Sequence, residues 1–161
     1  MSRTPPPADF YRPHEYTADE SVGYLLRRLV SSIKAETEHR LEPHSLTSAQ
    51  WEPLHKLKCG LVSTVAELAR AMQTDPGATT RLVDRLEAKG LCKRVRSTED
   101  RRVVHLELTP DGEAAAAHIP PALAEVMNAH LAGFSKTEWQ ALLGYLRRML
   151  ANGEAMREGE K

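Results

Sequence analysis

Apolar residues early in the chain recur at every third or fourth position, which is the spacing of one face of an α-helix. This stripe comprises Val22, Leu25, Leu26, Leu29, Val30 and Ile33. It predicts a long helix from Thr17 to Leu41, where the sequence EPHS ends it. A shorter stripe that starts at Trp51 predicts a second helix ending near Cys59, with Pro53 as the point for a kink.

Helix starts are marked by capping boxes, in which a Thr or Ser lies three residues before a Glu or Gln. Each side chain of such a pair can satisfy the free backbone amide of the other residue. The pairs are Thr17 with Glu20, Thr47 with Gln50, Thr64 with Glu67, and Ser135 with Glu138. They predict four helix N-termini.

The third box opens TVAELARAM, a short helix, and a few residues connect it to DPGATTRLVDRLEAKG. Asp75 or Thr74 is expected to cap this next helix, Pro76 suits its first position, and Gly90 suits its end. Two short helices joined so closely form a helix-turn-helix. The second helix is predicted to bury Leu82, Val83 and Leu86 and to expose Gly77, Ala78, Thr80, Arg81, Asp84 and Arg85.

The periodicity changes after this helix. The segments LCKRVRS and VVHLELT are short, rich in β-branched residues and roughly alternating, and the turn-like sequence STEDRR joins them. We interpret them as a two-stranded hairpin. The predicted fold class is therefore mainly α with a small β wing, which is a winged helix-turn-helix.

Charge is concentrated in the same region. The net charge of the chain is zero, yet residues 77–102 carry eight Lys or Arg against four Asp or Glu. The segments before and after it are slightly acidic. A basic segment between acidic flanks is typical of a protein that meets a polyanion on one face, although a solvated charged helix would show the same count.

Composition limits the function classes. A chain of 161 residues, 41% hydrophobic and 27% charged, is expected to form one main globular domain. It has no apolar run long enough to span a membrane and no signal-peptide pattern, so we expect a cytoplasmic protein. Cys59 and Cys92 lack metal-ligand spacing, and both are interpreted as structural.

The sequence TTRLVDRLEAKGL, followed by STEDRRVVHLELTPDGE, resembles the MarR family of winged helix-turn-helix transcriptional regulators. The resemblance extends over about residues 17–152, and its sharpest motif is Asp100-x-Arg102. It implies a homodimer that binds a palindromic operator in double-stranded DNA. The interlocking dimerisation helices would be residues 17–41 and the two helices after Thr109, of which the last carries Trp139, Leu142, Leu143, Leu146 and Met149.

The implied organisation has five parts: a Pro-rich arm (1–16), N-terminal dimerisation and ligand-pocket helices (17–60), a DNA-binding lobe (61–109), C-terminal dimerisation helices (110–152) and a flexible tail (153–161). In the lobe, the second helix would enter the major groove and the wing the minor groove. Asp100 would orient Arg102 for that contact. The candidate DNA-binding residues are Thr64, Gly77, Ala78, Thr80, Arg81, Arg85, Asp100, Arg101 and Arg102.

The resemblance also implies a small aromatic carboxylate or phenolic effector that releases a repressor from DNA. An aromatic surface beside a cation can hold a planar anion by stacking and a charge-assisted hydrogen bond. The candidate ligand-binding residues are Tyr24, Arg28, His39, His44, Trp51 and His55. The alternative is that Trp51 belongs to the core and that the histidines are solvated.

Other functions have weaker support. A metal-responsive regulator of the same fold would need its ligands from Glu36, Glu38, His39, Glu42, His44 and His118. The resemblance implies that oxidant-sensing relatives carry a reactive cysteine near the start of the first long helix, where this chain has none. No motif of an enzyme or of a cofactor site is present, so neither is expected. A winged helix that binds protein instead of DNA stays open, and a gel shift would separate it from a regulator.

Overall fold

The computed structural model describes residues 6, 8–100 and 103–159. These residues form α-helices and one two-stranded antiparallel sheet, which confirms the predicted fold class. The elements in chain order are α1 (Val22–Leu41), α2 (Ser48–Lys58), α3 (Val65–Met72), α4 (Pro76–Ala88), β1 (Cys92–Arg96), β2 (Val104–Leu108), α5 (Pro110–Ala116), α6 (Ile119–His130) and α7 (Lys136–Gly159). A 3-10 turn, Glu42–His44, lies between α1 and α2.

Three of the four predicted capping boxes are present. The Gln50 side chain accepts from the Thr47 amide at 3.1 Å, and the boxes before α3 and α7 each form in both directions. The prediction at Thr17 is wrong, because the chain makes a turn over residues 18–21 and α1 starts at Val22. The Ser21 hydroxyl caps α1 by accepting from the amide of Tyr24 at 3.2 Å.

The chain divides into two compact units, which we call the core unit (residues 31–127) and the terminal unit (the described residues up to 30 and from 128). The core unit holds a continuous apolar cluster. Its buried members come from α1, α2, α3, α4, the wing, α5, α6 and the connections that precede α2 and α3: Leu41, Leu46, Trp51, Leu54, Val62, Leu68, Leu82, Val83, Leu86, Cys92, Leu106, Ala116, Ile119 and Ala122. This cluster fixes the helix-turn-helix against the wing.

The wing is a regular antiparallel pair with Cys92 opposite Leu108 and Arg96 opposite Val104. It is anchored to the segment before α3, since the Leu106 amide donates to the Ser63 carbonyl at 2.7 Å. The backbone of Thr64 also forms an isolated bridge with His105. The start of the helix-turn-helix is therefore hydrogen-bonded to the second strand of the wing.

A close backbone approach joins the start of α5 to the connection between α4 and β1. A Cβ atom added at Gly112 would lie 1.8 Å from the Leu91 carbonyl oxygen, so only glycine fits there. The Thr109 hydroxyl accepts from the Gly112 amide at 3.0 Å and donates to the Gly90 carbonyl. The sequence TPDG thus fixes where α5 leaves the wing.

One further expectation was wrong. Three helices, not two, follow Thr109, because the chain turns at Ala117 and His118 and restarts where prolines suit the first turn of α6. Helix α7 continues into the expected tail as far as Gly159, and the flexibility of that tail stays a prediction. No helix within the described ranges is long and apolar enough to cross a membrane.

Candidate nucleic-acid interface

Helix α4 presents the face that the sequence predicts. Asp75 caps it by accepting from the Ala78 amide at 2.9 Å. Leu82, Val83 and Leu86 are buried as expected, whereas Gly77, Thr80, Arg81, Asp84 and Arg85 are exposed and Ala78 is half-buried.

Thr79, which the pattern did not single out, is buried on the inner side of α4. Its hydroxyl lies 2.8 Å from that of Thr74 and bonds to the Asp75 carbonyl. These contacts fix the first turn of α4 against the preceding loop.

The side chain of Arg81 lies back over the first turn of α4. An ideal Cβ atom at Gly77 would be 3.7 Å from an Arg81 Nη atom and 3.1 Å from an Asp75 carboxylate oxygen. A Cβ atom at position 77 would therefore be tight against the capping carboxylate and in ordinary van der Waals contact with the arginine.

Thr64, a candidate DNA-binding residue, has a structural role at the start of α3. Its hydroxyl accepts from the Glu67 amide at 3.2 Å, and the Glu67 carboxylate accepts from the amides of Ser63 and Thr64. These hydrogen bonds, led by that from the Ser63 amide, hold the pKa of Glu67 below its usual range. Thr64 therefore caps the N-terminus of α3.

The wing turn is closed by Ser97, whose hydroxyl accepts from the amides of Glu99 and Asp100. The Val103 amide donates to the Asp100 carbonyl at 2.9 Å. Arg101 and Arg102 lie outside the described residues, so the expected contact between Asp100 and Arg102 stays a prediction.

Two cations of the basic segment are engaged within the protein. Arg94 of β1 donates to Asp84 at 2.7 Å and to Glu87 at 2.5 Å, and Lys93 pairs with Glu107 at 3.2 Å. Counting charges along the sequence cannot detect this, because the partners come from other elements. Four cations of the segment form no ion pair with another described residue: Arg81, Arg85, Lys89 and Arg96.

Comparison with known proteins identifies this architecture. The sequence model of the MarR family matches residues 46–104, from before α2 to the start of β2. A solved structure of the transcriptional regulator PA3341 is 34% identical, with a TM-score of 0.77, and the match covers 84% of this chain and 99% of that one. The chain belongs to the MarR family.

Two other relatives of this MarR-family chain are informative. The HTH-type transcriptional repressor MdtR of Bacillus subtilis is 37% identical over 92 residues, which cover 57% of this chain and 59% of MdtR. The match thus spans about three fifths of that repressor. Bordetella bronchiseptica BpsR, whose DNA binding is regulated by 6-hydroxynicotinic acid, is 27% identical with a TM-score of 0.69, over 83% of this chain and 96% of BpsR. The family is one of transcriptional regulators, not of enzymes.

The expected ligand-binding residues of this MarR-family chain are divided between the two units. In the terminal unit, the guanidinium carbons of Arg27 and Arg28 lie 5.9 and 5.8 Å from the ring centre of Tyr24. An open pocket of about 580 Å³ adjoins the ring and is lined by Tyr16, Ala18, Ser21, Gly23, Tyr24 and Arg27. The sequence analysis missed Arg27, although its position three residues after Tyr24 puts it on the same helix face.

The other four candidates lie in the core unit in different surroundings. The His39 ring lies 3.8 Å from the Glu42 carboxylate, and the His44 ring stacks on His118 with centres 3.7 Å apart. The structure therefore pairs His44 with a histidine rather than with Trp51.

Trp51 and His55 are the more enclosed of the four. Trp51 is a core residue, 7% exposed, and its indole N–H has no hydrogen-bond partner among the described residues. His55 is partly buried, with both ring nitrogens 3.8 Å from the Cys59 sulfur. Burial, and then the charge of Lys56, lower the pKa of His55.

The residues that the metal-responsive alternative would need are not assembled. Glu36 binds Arg40 at 2.8 Å, and Glu38 accepts from the Ser48 amide. Within the described ranges, no three His, Cys, Asp or Glu side chains are grouped so as to hold a metal ion. The stack of His44 on His118 brings two imidazoles together, and no third His, Cys, Asp or Glu of the part that the structure describes is grouped with them.

Proposed function

We propose that this chain is a homodimeric, sequence-specific DNA-binding repressor of a palindromic operator, released by a small aromatic or phenolic acid. The observation that carries the proposal is the exposed face of α4, where Arg81 and Arg85 form no ion pair with other described residues. Such a face can place arginines against guanine edges and phosphates in the major groove. The regulation of BpsR by an aromatic acid supports the effector class.

The first experiment tests DNA binding. The wild-type protein is used to select duplexes from a random pool, and affinity is then measured by fluorescence anisotropy. We expect Arg81→Ala to weaken binding to the selected duplex by about 1–3 kcal/mol. Arg70→Ala is the matched control, because Arg70 is an exposed arginine on α3 of the same lobe and is expected to have a smaller effect. A wild-type protein that selects no duplex would contradict the proposal.

The second experiment tests the effector, with 6-hydroxynicotinic acid as the probe. Arg27 lines the pocket beside Tyr24, whereas Arg28 lies near the Tyr24 ring but does not line the pocket. Calorimetry is expected to show weaker binding for both alanine variants, with the larger loss for Arg27→Ala. DNA affinity without the probe should stay near that of the wild type for both, since neither residue belongs to the proposed interface. Equal probe affinity in all three proteins would remove this pocket from the proposal.

A further inference from the structure

Arg94 connects the wing to the proposed DNA-contacting helix through both branches of its guanidinium group. One Nη atom donates to Asp84 at 2.7 Å and the other to Glu87 at 2.5 Å. The Arg94 backbone amide also donates to Glu87 at 3.1 Å, so Glu87 receives the main chain and the side chain of the same residue. Both carboxylates are thereby held against β1.

Asp84 lies directly beside the exposed cations of α4. Residues three and four apart are neighbours on a helix surface, so Asp84 adjoins Arg81 on the preceding turn. An Asp and an Arg at this spacing readily pair with each other. In the structure Asp84 instead pairs with Arg94, and Arg81 forms no ion pair with any residue that the structure describes.

We propose that Arg94 is a positioning residue of the DNA interface, which holds Asp84 and Glu87 and so keeps the Arg81 guanidinium free to meet DNA. This inference rests on the proposed DNA-binding function and gives Arg94 a role other than DNA contact. Without Arg94, two carboxylates lose their partner close to the expected phosphates. Asp84 would then repel DNA and compete for Arg81.

A purely structural role predicts a different result. The side chain of Arg94 is 29% exposed, that of Asp84 is 56% exposed and that of Glu87 is 38% exposed. Ion pairs at such exposed sites contribute little to folding stability. The charge that α4 presents to a polyanion would change, however, and this charge sets the slope of affinity against salt. Salt dependence therefore separates the two roles.

The test compares Arg94→Gln with a neutralised triple variant, Arg94→Gln with Asp84→Asn and Glu87→Gln. Affinity for the duplex selected by the wild-type protein is measured over a series of salt concentrations. We expect Arg94→Gln to bind about tenfold more weakly or worse, because unpaired like charges at an interface are strongly unfavourable. Its slope of log affinity against log salt should fall by about one per subunit. The triple variant should recover most of the lost affinity.

The matched control is the double variant Lys93→Gln with Glu107→Gln, which removes the neighbouring ion pair of the wing and leaves α4 unchanged. It is expected to bind nearly as the wild type does. Unchanged affinity and slope in Arg94→Gln would overturn the inference, as would a triple variant that stays as weak as Arg94→Gln. A wild-type protein that selects no duplex would instead reject the proposed function, so the two failures are distinguishable.

Discussion

The two units of the chain use apolar residues in opposite ways. Among the described residues, every buried apolar side chain lies in the core unit, between Leu41 and Val126. The terminal unit instead exposes large apolar side chains in the segment before α1, along the start of α1, just before α7 and along α7. They are Phe10, Tyr11, Tyr16, Val22, Leu25, Leu29, Val30, Phe134, Trp139, Tyr145, Met149, Leu150 and Met156.

This difference indicates where each unit obtains its stability. The core unit buries its own cluster and resembles an independent domain. An apolar surface as extended as that of the terminal unit is typical of an interaction site. In the proposed homodimer, a second copy of the chain covers this apolar surface. The helical spacing of the exposed residues suits the packing of one helix on another.

The largest expected effect comes from matched Leu→Ala substitutions in the two units. Leu54 is fully buried, so Leu54→Ala should lower the free energy of unfolding by about 2–5 kcal/mol. Leu150 is 68% exposed, and Leu150→Ala should change the unfolding of the core unit by only about 0.5 kcal/mol. Unfolding of the core unit is monitored by the fluorescence of Trp51. All variants also carry Trp139→Phe, which leaves Trp51 as the only tryptophan of the chain. Equal losses in urea titrations would contradict the comparison.

A charge placed in the exposed stripe tests whether a second copy covers it. Leu25 is half-exposed on α1, and Leu25→Asp is expected to weaken self-association by about 2 kcal/mol or more, as a disrupted interface centre does. Sedimentation velocity over a concentration series measures the change. Leu61→Asp is the control, because Leu61 is 67% exposed but lies in the core unit. A wild-type protein that is monomeric throughout would reject the dimer.

Much of the fold was predictable because its signals are local. Several features each depend on a few adjacent residues. They are the cap at Asp75, the proline at the start of α4, the end of that helix near Gly90 and the alternation of the wing strands. The start of α1 was not predictable in this way. Tyr11, eleven residues earlier, accepts from the amide of Val22, so a contact from outside the helix helps to define its start.

The candidate site was predictable in part for the same reason. The exposed face of α4 follows from helical periodicity, which needs no knowledge of neighbouring elements. The pairing of Arg94 with Asp84 and Glu87 depends on how the wing packs against α4, and the stack of His44 on His118 joins residues 74 positions apart. Periodicity likewise could not show which apolar stripes enter the core.

The smallest expected effect uses two chemically equivalent helix caps, one in each unit. The Glu67 carboxylate accepts from the Ser63 amide at 2.7 Å, and the Glu138 carboxylate accepts from the Ser135 amide at 2.8 Å. These backbone hydrogen bonds are the main reason that the pKa of each glutamate lies below its usual range. A glutamate whose pKa is lower in the folded state stabilises the fold at any pH above its pKa in the unfolded chain, which is about 4.3. This stabilisation is lost as the pH falls through the pKa of the folded state.

Glutamine can accept the same hydrogen bonds but does not titrate, so each Glu→Gln variant should be less acid-sensitive than the wild type. Urea titrations at neutral pH and near pH 3 are monitored by the fluorescence of Trp51. For Glu67→Gln the free energy of unfolding should depend less on pH, because α3 packs into the core unit through the fully buried Leu68. Glu138→Gln should leave that signal nearly unchanged, since α7 has no buried side chain among its described residues. If both variants changed the unfolding transition reported by Trp51 equally at every pH, the two units would unfold together. That result would contradict the conclusion that each unit has its own source of stability.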